Sequence, residues 1–135
     1  MVNKKKAPTI TLEIDSNAVI GNSTSPLLTN CVNGVGVLTI KVNGYNADTT
    51  KYVMRYKIDL KQTATAFTKD DYSKPHPIDK VYPPPYTAKV WSHSEAYAGV
   101  KSGLQYMLGV WVEWTPGGLS QVEFQNFSLL PKCGP

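Results

Sequence analysis

The chain has 135 residues and a formal net charge of +4, with 41% apolar and 18% charged side chains. That length fits one domain with a core of its own, and that balance argues against wholesale disorder. No stretch approaches the roughly 20 apolar residues that a membrane-spanning helix needs.

The first feature met along the chain is the cluster Lys4, Lys5 and Lys6, which carries three of the four net charges. The rest has 11 basic and 10 acidic residues and is nearly neutral. Residues 1–7 therefore read as a basic tail and residues 8–135 as a single domain. The lysines are suited to nonspecific phosphate contact. Arg55 is the single arginine, and arginine is the preferred residue for bidentate base contacts, so sequence-specific nucleic-acid recognition is not expected. No continuous apolar segment of about 7–15 residues follows the lysines, so no secretory signal is read. That leaves the cytoplasm, a virion or export by another route as the expected location.

Residues Thr9–Ile14 alternate and read as a first strand. The Asn-, Ser- and Thr-rich residues 15–30 read as irregular. Val35–Val42 alternates again, with Leu38, Ile40 and Val42 inward. The clearest period of two lies at 52–61, with Tyr52, Met54, Tyr56, Ile58 and Leu60 on one face. Val53, Arg55, Lys57, Asp59 and Lys61 lie on the other, which reads as solvated. Asn43-Gly44 and Asn46–Asp48 between these two strands predict a hairpin. Residues 68–85 form a long loop with Pro75, Pro77, Pro83, Pro84 and Pro85; loops of this length are often functional. Pro83–Tyr86 matches the PPxY ligand pattern, with a rigid loop exit as the structural reading. Tyr86–Ser92 predicts another strand, and Ser94–Lys101 has room for one helical turn at most. Tyr106–Trp114 and Leu119–Leu130 are expected to pair antiparallel across Pro116-Gly117-Gly118. A phase change at Gln125-Asn126 reads as a bulge. About seven or eight short strands with little or no helix make an all-β, antiparallel β-sandwich of jelly-roll or immunoglobulin-like type.

The strand at 106–114 is apolar on both faces, which is the pattern of a strand buried on both sides. A two-layer sandwich buries one face of each sheet. The extra face, with Met107, Trp111 and Trp91, therefore needs a cover: the proline loop with Tyr72, His76 and Tyr82, another subunit, or a sugar ring. Cys31 and Cys133 read as free thiols in the absence of a signal peptide. An internal disulfide closing a loop of about 100 residues, or an intermolecular one through the C-terminus, is the alternative. Asp70 and Asp71 near His76 read as a solvated acidic turn rather than a metal site. Asn22 and Asn126 match the glycosylation pattern by chance.

His76 and His93 lie in no catalytic motif, and no cofactor is expected. The composition points to a non-catalytic, self-assembling structural subunit of a particle, fibre or virion, with a homo-oligomer as its form. A carbohydrate-binding, lectin-like module is the alternative, with Tyr and Trp as contact groups for a glycan. A secreted effector or toxin is a further one.

Overall fold

In the computed structural model, residues 10–15, 19–20, 23–46, 51–82, 91–116 and 121–134 are described. The tail lysines, the PPxY run and the 117–120 turn lie outside the described residues. The strands are β1 (Ile10–Asp15), β2 (Val19–Ile20), β3 (Ser23–Thr24), β4 (Leu27–Val32), β5 (Val35–Asn46) and β6 (Lys51–Lys61). They continue as β7 (Ile78–Val81), β8 (Trp91–Lys101), β9 (Tyr106–Pro116), β10 (Gln121–Leu129) and β11 (Lys132–Cys133). Eight have four residues or more and three have two, with no α-helix among the described residues.

These strands form two sheets, and the chain is an all-β, mainly antiparallel sandwich. In the first sheet, β5 is central. One of its edges is shared by β4 and β1, and the other is taken by β8. The second sheet runs β2-β3-β10-β9-β6-β7. The layers meet in one core. Leu28, Leu38, Ile40, Val42 and Val100 from the first sheet cluster with Val53, Tyr56, Ile58, Leu108, Val110, Val112, Phe127 and Leu129 from the second. The alternation of these residues places them on the inner faces, where burial at about 25 cal/mol per Å² drives the layers together.

Several expectations from the sequence are corrected. The hairpin between the strands at 35–42 and 52–61 does not form. β5 and β6 lie in different sheets because the edges of β5 are taken by β1, β4 and β8 while those of β6 are taken by β7 and β9. Residues 94–101, read as a helical turn, continue β8. Gly99 adopts φ +73° and, with Ala98, sits opposite Val37, so glycine marks a bulge rather than a helix limit. Residues 15–30 are not wholly irregular, for they contain β2, β3 and most of β4. No bulge occurs at Gln125-Asn126, since β10 pairs with β9 in unbroken register from Gln121 to Leu129. The change in apolar pattern instead divides the strand between two buried faces. Phe127 and Leu129 reach the core, while Phe124 stacks on Trp111 outside it. The bulge lies between Val53 and Arg55 of β6, and it turns Val53 into the core at 0% exposure.

The free-thiol reading is also corrected. Cys31 and Cys133 form a disulfide, with Cα atoms 6.1 Å apart and a sequence separation of 102. β11 runs parallel to the start of β4, with Cys133 opposite Leu28, which brings the two sulfurs together. Gly36 makes the room, because a Cβ there would stand 2.7 Å from the Cys31 sulfur.

Candidate functional site

The candidate site lies on the outer face of the second sheet, beneath residues 62–77. Arg55, Lys57, Asp59 and Lys61 of β6 alternate onto this face beside Met107, Gly109, Trp111 and Glu113 of β9. Phe124 and Asn126 of β10 continue it, opposite Trp111 and Gly109. The expected solvated face is therefore a covered one: Lys57 and Asp59 are buried.

Trp111 is the centre. It is 0% exposed, and its indole N–H donates to the Thr68 carbonyl at 3.0 Å. The His76 ring stacks on it at 4.4 Å and 22°, and Phe124 stacks at 5.2 Å and 28°. Phe67 meets its edge at 5.3 Å and 78°, the T-shaped arrangement that aromatic quadrupoles favour. Gly109 permits this closeness, since a Cβ there would lie 2.6 Å from the Trp111 ring and 2.7 Å from Phe67.

Polar groups pin the loop around that stack. The Phe67 N–H donates to Asn126 Oδ1 at 2.9 Å, and Asn126 Nδ2 donates to the Met107 sulfur at 3.3 Å. Tyr72 donates its hydroxyl to Glu113 at 2.6 Å; burial and that carboxylate push its pKa above the ordinary phenol value. Lys57 Nζ donates to the Tyr72 carbonyl at 2.6 Å and lies 4.5 Å from the Tyr72 ring centre, so the buried ammonium is satisfied. At the rim, Arg55 forks onto Asp79 with two bonds of 2.7 Å, which holds the carboxyl below its usual range.

His76 closes the arrangement. Its Nε2 donates to the Asp71 carbonyl at 2.7 Å, and its Nδ1 stands 2.9 Å from Asp59 Oδ2. The carbonyl can only accept, so Nε2 is the donor there, and Nδ1 faces the Asp59 carboxyl. Asp71 also binds the backbone N–H of Thr68 at 2.9 Å and Lys74 at 2.9 Å. These contacts hold its pKa at about 2, and they shape the 3-10 turn at Lys69–Ser73. Beside the turn is a half-open depression of about 290 Å³ lined by Lys61, Phe67, Asp71, Lys74, Pro75 and His76. Neither ring nitrogen of His76 is free toward it. Among the described residues, no group of three or more His, Cys, Asp or Glu side chains is arranged to hold a metal.

The structure thus brings together Met107, Trp111, Tyr72 and His76, within one chain. Tyr82 belongs elsewhere, packed on the core with its ring 6.0 Å from Tyr56. Trp91 falls on β8 opposite Gly44, and its side chain lies outside the described residues. Trp111 is completely buried and offers no open ring face.

A second polar cluster, missed by sequence reasoning, links the sheets. Tyr56 Oη lies 2.7 Å from His93 Nδ1, and His93 Nε2 donates to Glu95 at 2.9 Å. The next inward residue, Tyr97, has a buried hydroxyl with no hydrogen-bond partner among the described residues. Burial first, and Glu95 second, push its pKa up. The period-two spacing of His93, Glu95 and Tyr97 was a usable signal. A helical turn over Ser94–Lys101 hides it, since that reading takes Glu95 and Tyr97 out of the strand. No family model, curated protein or solved structure matches the chain.

Proposed function

We propose that the chain is a non-catalytic structural subunit that assembles with copies of itself, of the particle, fibre or virion-component kind. The observation that supports this is the edge of β8. This strand has 11 residues, and among the described residues it pairs on one side alone, with β5. An unpaired edge offers a row of backbone donors and acceptors to another strand.

The edges of the second sheet, β7 and β2, are short. β7 has four residues and contains Asp79 and Lys80, and β2 has two residues. Short length and charge are the usual devices against edge pairing. On β8, the outward side chains Ser94, Ala96 and Ala98 are small, uncharged and exposed, and they allow close approach. The adjoining row on β5, Thr39 and Lys41, is open as well. The disulfide suits an assembly standing outside a reducing compartment.

Light scattering over a range of concentrations tests the reading. A stable oligomer is expected, and a strict monomer at the highest concentration overturns it.

A further inference from the structure

We infer that the β8 edge takes the β8 of a second copy, antiparallel, with Ser94 on the two-fold axis, so that the first sheets of both copies become one. This rests on the assembly reading and specifies its partner and register. An isologous pairing is the commonest route to a closed dimer, and an antiparallel strand pair satisfies it because each residue i meets residue j and j meets i.

The register follows from three features of β8. Its regular ladder against β5 runs from Trp91 to Tyr97 and ends at the Ala98–Gly99 bulge, where the strand is bent and overtwisted. A two-fold axis on Ser94 uses all of that regular segment and stops before the bulge. Charge makes the same choice. With the axis on Glu95, two carboxylates stand directly opposite each other, which is destabilising. With the axis on His93, two imidazoles do, and Tyr97 is left beyond the segment. With the axis on Ala96, Ala98 and the bulge are drawn into the ladder. With the axis on Ser94, His93 of each copy stands opposite the partner's Glu95 on both sides of the axis, so neither two carboxylates nor two imidazoles face each other. On the outer face Ser94 meets Ser94, and Ala96 beside it is small and exposed, so no bulky side chain of these two residues obstructs the approach.

His93 and Glu95 are fixed before any partner arrives. The ring is held by Tyr56 across the core at 2.7 Å and by Glu95 at 2.9 Å, and Glu95 remains partly open to solvent. The edge is therefore preorganised, which lowers the ordering cost of association.

The test is disulfide trapping in the full chain, whose two native cysteines are already paired. Opposed Cα atoms in an antiparallel pair lie about 4.5–5.5 Å apart, inside the range of about 4.4–6.8 Å that a disulfide spans. Under mild oxidation Ser94→Cys converts most of the chain to a species of twice the mass. Ala98→Cys does not, because the two copies of residue 98 are eight strand positions apart, about 26 Å. Circular dichroism verifies that both variants fold. An oligomer by light scattering with no Ser94→Cys cross-link overturns this pairing and leaves assembly standing through another surface. Cross-linking of Ala98→Cys as efficient as that of Ser94→Cys overturns the register. A monomer by light scattering removes the assembly reading, and this pairing with it.

Discussion

Trp111 and Ala96 hold comparable places, each on the outer face of a strand paired within its sheet, but their surroundings are opposite. Trp111 is 0% exposed under the chain's own loop, whereas Ala96 faces solvent. The second sheet invests Phe67, Tyr72 and His76 in covering one face, with each buried polar group given a partner. The first sheet presents small residues and the 11-residue β8, which among the described residues pairs on one side alone. A face rich in aromatic side chains need not be an interface, and a face of serines and alanines can be the better candidate. What decides is whether the chain itself supplies the cover.

The sharpest way to break this contrast is to empty the covered side. Trp111→Ala removes the ring on which His76, Phe67 and Phe124 stack, and it leaves the Thr68 carbonyl without its donor. We expect a loss of about 4 kcal/mol, in the range for a fully buried large aromatic residue, read as the urea midpoint at constant slope. Ala96 has no comparable structure to lose.

The disulfide provides the next largest effect, on the open side. It ties β4 of the first sheet to the C-terminal β11 across a sequence separation of 102. Replacing both cysteines by serine is expected to cost about 3 kcal/mol in thermal or urea denaturation. Reduction of the wild type should match it. No change on reduction would mean that the short parallel pairing of β4 with β11 holds the C-terminus alone.

How much of this contrast was legible differs between the two sides. The doubly apolar pattern of residues 106–114 demanded a cover, and the loop with Tyr72 and His76 was a named candidate, because strand alternation reports burial on each face separately. Lys57 and Asp59 misled for the same reason: charge in a period-two pattern normally marks solvent, and their partners Tyr72 and His76 lie 15 and 17 residues away. The bulge at Val53 shifts a face by one residue without a glycine or proline to announce it. The cysteine pair is a long-range contact, set by the path of β11 beside β4. The route from β5 to β6 depends on which other strands occupy their edges, and asparagine-glycine chemistry between two strands cannot report that. The edge of β8 was not read at all, since an unpaired edge is a property of sheet order and not of any residue on it.

A smaller effect comes from acid. Asp71 binds the Thr68 N–H and Lys74, which lower its pKa to about 2 from the ordinary 3.8. A carboxyl held low in the folded chain stabilises it above the unfolded value, and that contribution is lost as pH falls through the folded one. Asp79, held low by Arg55, acts in the same direction. Stability should therefore fall between pH 3.8 and about 2, and Asp71→Asn should flatten part of the slope. The Asp71 pair is exposed and screened by salt, so the slope should weaken in concentrated salt. An unchanged slope in Asp71→Asn would show that other carboxyls carry the acid response.

The least effect on the folded monomer, and the most informative for the open face, is expected from Ala96→Lys. An exposed substitution away from caps and cores stays within about 0.5 kcal/mol, so at high dilution its urea midpoint should match the wild type. Association is another matter. A lysine on an edge strand is a recognised guard against strand pairing, and in the Ser94-centred pairing it would stand in the outer row of both copies. If copies of β8 join, binding favours the folded form, and the wild-type midpoint must rise with protein concentration by mass action. Ala96→Lys should abolish that rise while leaving the dilute midpoint in place. A wild-type midpoint independent of concentration would mean that the open face is merely solvated. A rise that survives in Ala96→Lys would move the interface off β8, to a surface such as the exposed Leu27 and Val32 of β4.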